Sequence, residues 1–187
     1  HTRDARFATV CCRSFCRAIP TYGNGCIQEA ARALAEVSLD LNALEISDII
    51  TLPRFTAKAW NFGLRPGVAV DLSTCKPDGQ HWDLLNPEDE VVLNEILDYE
   101  LPAILTGSPP CNAFSQIRSL GRRIRGPVKE AEDMKRGRAT LNVAARVYRR
   151  QYDAGRYFLH EAPKGATSWK EDCIMELEQL PGVERVN

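Results

Sequence analysis

Leu101-Pro102-Ala103-Ile104-Leu105-Thr106, followed at once by Gly107-Ser108-Pro109-Pro110-Cys111-Asn112-Ala113-Phe114-Ser115, is the stretch that decides the fold. The apolar run is short enough for a buried strand. Two prolines then stiffen the turn and hold a cysteine at the mouth of that strand. A loop beyond the carboxyl end of a strand is where open α/β sheets bind their ligands. Further on, Tyr157-Phe158-Leu159-His160 forms a second apolar run that delivers Glu161 and Pro163 in the same style. One strand end presents a nucleophile and the other a carboxylic acid.

Working outward, strands and helices alternate. Leu44 to Thr51 reads as a strand, and Arg54 to Phe62 as a helix closed by Gly63. Gly67-Val68-Ala69-Val70-Asp71-Leu72 is a strand ending on an acid, and His81-Trp82-Asp83-Leu84 reads as a short third strand. Asn86-Pro87-Glu88-Asp89 starts a helix that runs to about Tyr99, with a cap, an early proline and acids near the dipole. A helix from Val128 to Asp153 ends at Gly155. Ser168-x-x-Glu171 reads as a capping box for a last helix. Upstream, Ala30, Ala33, Leu34, Val37 and Leu41 recur at helical spacing. The alternation predicts an α/β fold with a doubly wound, mostly parallel sheet. Residues 1–27 are expected to be an irregular N-terminal segment, and residues 28–187 the α/β domain.

At 187 residues the chain can bury one substantial core, and its net charge of −1 advertises no global field for a polyanion. No apolar run approaches the roughly 18 residues of a membrane span, and no signal-peptide pattern is present. His1 at the start and a strand just beginning at Gly182 lead us to expect a fragment, truncated at its C-terminus. Seven cysteines, an odd number, argue for reduced thiols in an intracellular setting. Cys11, Cys12, Cys16 and Cys26 lack the paired spacing of a zinc site, so no metal is expected.

The loop from Gly107 to Ser115, with Phe-Ser following the cysteine, resembles the Pro-Cys loop of the cytosine-C5 DNA methyltransferase family. His160-Glu161-Ala162-Pro163 stands where that family carries Glu-Asn-Val. Ser-Pro-Pro-Cys with a later His-Glu-x-Pro is also similar to methyltransferase-like segments of some retroelement polyproteins. The resemblance covers roughly residues 44 to 187. It implies a Rossmann-like class I methyltransferase core, S-adenosylmethionine as cofactor, DNA as partner, and a nuclear setting in a eukaryote. By the resemblance, Cys111 attacks carbon 6 of cytosine and Glu161 holds N3. A thiolate suits this chemistry because it is both a strong nucleophile and a workable leaving group. The resemblance also implies that Asp71 holds the cofactor ribose, with Asp83 and Pro109 beside it. Ser115, Arg118, Arg122, Arg123 and Arg125 would then meet nucleic acid. From Arg118 to Arg156 there are twelve Lys or Arg against four acids, a local basic stretch.

The chain departs from the family after the first strand. Thr51-Leu52-Pro53-Arg54-Phe55 replaces a glycine-rich loop, and side chains there predict weak cofactor affinity. Two other readings stay open on the residues. One is a non-catalytic remnant or nucleic-acid-binding module of a mobile-element polyprotein. The other is an amino-methyltransferase acting on adenine or cytosine, whose loop would need an aromatic residue where Cys111 stands.

Overall fold

The computed structural model describes residues 7–12, 45–115 and 122–186. The expected helix near residues 28–41, Arg118, Cys16 and Cys26 lie outside the described residues. So do the side chains of Cys11, Cys12, Arg122, Arg123 and Arg125.

The fold is α/β. Its strands are β1 (Phe7–Cys12), β2 (Glu45–Ile49), β3 (Arg65–Val70), β4 (Ile104–Gly107), β5 (Tyr157–Pro163) and β6 (Val183–Val186). They form one sheet in the order β3-β2-β4-β5-β1-β6. The four strands β3, β2, β4 and β5 are mutually parallel. β1 runs antiparallel to both β5 and β6 and lies between them in the sheet. This corrects the expectation of an irregular segment over residues 1–27, since Phe7–Cys12 is built into the sheet.

Alternating strand residues feed two apolar cores. On one face Ile49, Val70, Leu105 and Phe158 meet three helices. These are α1 (Pro87–Glu100), α2 (Arg122–Asp153) and α3 (Asp172–Glu178), which contribute Leu93, Leu97, Leu141, Tyr148, Ile174 and Leu177. On the other face Ile46, Ile104 and Leu159 pack with Ala59 and Leu64. Ala59 belongs to a 3-10 helix, Thr56–Phe62, that connects β2 to β3 and closes at Gly63 with φ 71°. The predicted helix is therefore present in tighter form. Its first turn is held from a distance. The buried carboxylate of Asp48 accepts from Phe55 N, Thr56 N and Thr56 Oγ1 at 3.1, 3.0 and 2.9 Å.

Parallel crossovers are right-handed, so a connection that turns back along the sheet must cross the opposite face. The β2-to-β3 link crosses one face, and the links through α1, α2 and α3 cross the other. Chain direction along the sheet reverses between β2 and β4. Their carboxyl ends therefore part to opposite faces and leave a crevice, the place where open α/β sheets bind ligands.

Several local expectations hold. Asn86 caps α1 by accepting from Glu88 N at 3.2 Å, with Pro87 in the first turn. α2 carries a break at Gly126, φ 75°, just before Pro127, so its regular course begins near Val128 as predicted. Two expectations fail. His81–Leu84 is not a strand. It forms a single bridge between Cys75 and His81, and Trp82 and Leu84 are apolar because they are buried under the loop. Ser168-x-x-Glu171 makes no capping box. A short 3-10 helix, Thr167–Lys170, intervenes, Glu171 is itself the cap of α3, and its carboxylate is taken by Arg138 at 3.0 Å.

Candidate active site

Gly107 ends β4 on the face that carries α2. A Cβ there would collide with Tyr148 Oη, so only glycine lets the strand end lie this close to the helix. The chain then passes through Ser108, Pro109 and Pro110 into a 3-10 turn, Cys111–Phe114. Ala113 and Phe114 are buried against α2 at Gly137, where an added Cβ would lie 2.7 Å from Ala113 Cβ. The loop is thus clamped at both ends. Cys111, a free thiol at the head of the turn, is half-buried.

Glu161 lies in the neighbouring strand β5, one residue past the end of its pairing with β4 and still paired with Thr9 of β1. The pairing of Gly107 with His160 sets Ser108 beside Glu161. Ser108 Oγ donates to Glu161 Oε2 at 2.8 Å. Three residues of chain span at most about 11 Å, so the backbone of Cys111 lies no farther than that from Ser108. The nucleophile and acid read from the sequence therefore share one sheet edge.

A cavity of about 340 Å³ lies next to this loop, between the ends of β2, β3 and β4 and the start of regular α2. Asp71 and Asp83 line it, with Ile50, Leu72, Trp82 and Pro110. Pro110, and not the expected Pro109, is the loop proline on its wall. Cys111 and Glu161 are not on that wall. Asp71 Oδ1 accepts from Ser73 N and Ser73 Oγ at 3.0 and 2.7 Å, which shapes the turn after β3. Asp83 Oδ1 accepts from Leu85 N at 3.1 Å. Trp82 is 2 % exposed, and its indole N–H finds no acceptor among the described residues.

The loop that carries Leu72, Trp82 and Asp83 over the cavity is strapped to α1 through one residue. Buried Asp89 accepts from Lys76 Nζ at 2.9 Å and from Asp83 N at 2.7 Å. The Asp83 backbone N–H, then Lys76, hold the Asp89 carboxyl below its ordinary range, and Asp89 in turn raises Lys76.

After β2 the chain has no glycine, yet Ile50 takes φ 53°. For a β-branched residue that conformation is strained by about 1–2 kcal/mol. The backbone thus makes the sharp turn a glycine would make, and the Ile50 side chain occupies the cavity wall.

His160 faces away from Glu161 into the α2 core. Its Nδ1 lies 3.4 Å from Tyr148 Oη, and its ring packs edge-on to Trp169. Burial lowers its pKa to about 4 and raises that of Tyr148. It is a neutral core residue.

The basic stretch is altered most by the fold. Arg146 forms two bonds with Glu90 at 2.8 and 2.6 Å, and Arg150 pairs with Asp98, both acids coming from α1. Arg138 pairs with Glu171, Arg149 with Asp153 and Lys129 with Asp133. Within the described part of the stretch, Arg138, Arg146 and Arg150 tie α2 to its neighbours through acids that the sequence count left out, while Lys129 and Arg149 pair with acids of α2 itself. Ser115, half-buried, follows the Cys111 turn on the way to the arginines.

Sequence reasoning missed Ser108, Asp48, Tyr148 and Trp82. Their roles come from partners on other elements, and only the strand-end position of Ser108 hinted at one. No protein-family profile, curated protein or solved structure matches this chain. Among the described residues no helix is long and apolar enough to cross a membrane, and no group of three or more His, Cys, Asp or Glu is placed to hold a metal ion.

Proposed function

We propose that this chain is a Rossmann-like methyltransferase core that transfers a methyl group from S-adenosylmethionine to carbon 5 of cytosine in DNA. The observation that supports the reading is that one loop touches both places: Pro110 lies on the wall of the cavity with Asp71 and Asp83, and Ser108 is hydrogen-bonded to Glu161. The cavity suits the nucleoside half of the cofactor. Asp71 and Asp83 offer acceptors to ribose hydroxyls, Leu72 and Trp82 offer apolar wall, and the unpartnered indole N–H of Trp82 is a buried donor that a ligand acceptor would satisfy. When bound, the cofactor supplies a methyl group on a positively charged sulfur.

The chain's own residues do the rest. Cys111, as thiolate, adds to carbon 6 of the base and raises electron density at carbon 5. Glu161 meets N3 and stabilises the charge that develops there. A base in a duplex must be flipped out to reach the loop. Ser115, Arg118, Arg122, Arg123 and Arg125 are assigned the backbone contacts, since Arg138, Arg146 and Arg150 farther along α2 are already paired.

The test is covalent trapping. With S-adenosylmethionine and an oligonucleotide containing 5-fluorocytosine, the protein should form an adduct that survives denaturation. Fluorine at carbon 5 cannot leave as a proton does, so the thiolate stays on carbon 6. Cys111→Ser should form none.

One observation favours a second reading, a methyltransferase-like module that binds nucleic acid without transferring a group. Ile50 puts a side chain on the cavity wall where bare backbone would let a cofactor approach. Calorimetry separates the two. Absent binding of S-adenosylmethionine, with oligonucleotide binding retained, selects the second.

A further inference from the structure

We propose that Ser108 is a positioning residue for Glu161, fixing which carboxylate oxygen faces the base. This inference rests on the reading of Glu161 as the acid that meets the pyrimidine ring.

Ser108 Oγ donates to Oε2 of Glu161 at 2.8 Å, and both side chains are half-buried. The two residues are brought together by strand pairing and not by chain proximity, since 53 positions separate them. The next two residues, Pro109 and Pro110, have no backbone N–H. The loop therefore offers the carboxylate no amide donor at these positions, and the serine hydroxyl takes that part.

A glutamate side chain has three rotatable bonds, and freezing them before the ligand arrives is preorganisation. With Oε2 engaged by a donor, Oε1, which has no hydrogen-bond partner among the described residues, is left for the ligand. When the carboxyl is protonated, its proton sits on Oε1, because Oε2 is already accepting from Ser108. Ser108 thereby aims the carboxyl proton at a ring nitrogen, while touching neither base nor cofactor itself.

The test uses the whole chain, S-adenosylmethionine and the 5-fluorocytosine oligonucleotide. Ser108→Ala should slow adduct formation by about ten- to a hundredfold, the scale of a small misplacement of a reacting group. Oligonucleotide affinity should be unchanged, and Ser108→Thr should restore most of the rate. In a Glu161→Gln background, Ser108→Ala should cost nothing more, because Ser108 acts through Glu161. Wild-type rate in Ser108→Ala, or an undiminished loss in the Glu161→Gln background, overturns the proposal. If the wild-type protein forms no adduct, the methyl-transfer reading fails, and a crystal structure of Ser108→Ala decides the positioning role by itself. A Glu161 carboxylate that leaves its wild-type place supports the role. One that stays overturns it.

Discussion

Two hydroxyl–carboxylate pairs lie on the same face of the sheet, and they do different work. Thr106 of β4 donates to Asp48 of β2, and two residues later Ser108 donates to Glu161 of β5. Asp48 is fully buried and takes three further donors from the start of the 3-10 helix. Glu161 is half-buried at the sheet edge, and Ser108 bonds only its Oε2. A carboxylate with its lone pairs filled is a structural strut. One with an oxygen left at the edge can still meet a ligand. Position along β4, inside the strand or just past its end, separates the two outcomes.

The largest effect should come from breaking the inner pair. Asp48→Ala strands Phe55 N, Thr56 N, Thr56 Oγ1 and Thr106 Oγ1 without their acceptor. Each buried unsatisfied donor costs about 1–3 kcal/mol, and partial relaxation should leave a total of about 3–5 kcal/mol. Urea unfolding measures it. A loss below about 1 kcal/mol would mean that Asp48 is no strut.

The opposite face offers a pH probe that sharpens the contrast. His160 pairs in register with Gly107 and is buried with its Nε2 unpartnered among the described residues. Its pKa falls from 6.5 to about 4 on folding, through burial. The unfolded chain therefore binds the proton more readily, and stability is lost as pH falls from about 6.5 to 4. The span is worth about 3 kcal/mol at about 1.4 kcal/mol per pH unit. His160→Gln, which cannot take the proton, should flatten that slope in chemical denaturation. A slope that persists would assign it to the carboxylates.

Much of the frame was legible in the sequence because its signals are local. Apolar runs marked β2 to β5, and Asn86-Pro87 marked the start of α1. Cys111 and Glu161 were legible as residues at strand ends. What escaped depends on distant partners. β1 is a six-residue strand whose partners lie in β5 and β6, at the other end of the chain. Ser108 gains its meaning from a residue 53 positions away, and Asp48 from Thr106, 58 positions away, together with the backbone of Phe55 and Thr56 after it in the chain. The basic stretch looked unbalanced because Glu90, Asp98 and Glu171 lie outside it in sequence and against it in space. His81–Leu84 misled because burial under a loop and burial in a sheet give the same apolar spacing.

Gly107 stands between the two hydroxyls and should show a smaller effect. Gly107→Ala drives a methyl group against Tyr148 Oη and to 3.0 Å from Ile49 O. Overpacking of this kind costs about 1–3 kcal/mol. Tyr148→Phe, which removes the clashing oxygen, should recover part of it in the double variant. Full additivity of the two changes would mean that the clash is relieved by movement of β4 instead.

The smallest effect on folding belongs to the outer pair, and its smallness is the point. In Glu161→Gln the amide oxygen can still accept from Ser108, and the half-buried site needs no charge for folding. The expected change in unfolding free energy is within about 0.5 kcal/mol, the range of substitutions away from buried networks. The same variant should slow trapping of a 5-fluorocytosine oligonucleotide strongly, since an amide cannot pass a proton to N3 as a carboxylic acid can. Stability retained while trapping is lost marks a residue kept for chemistry. A loss of stability approaching that of Asp48→Ala would make both pairs struts and remove the strongest structural reason to assign Glu161 a ligand.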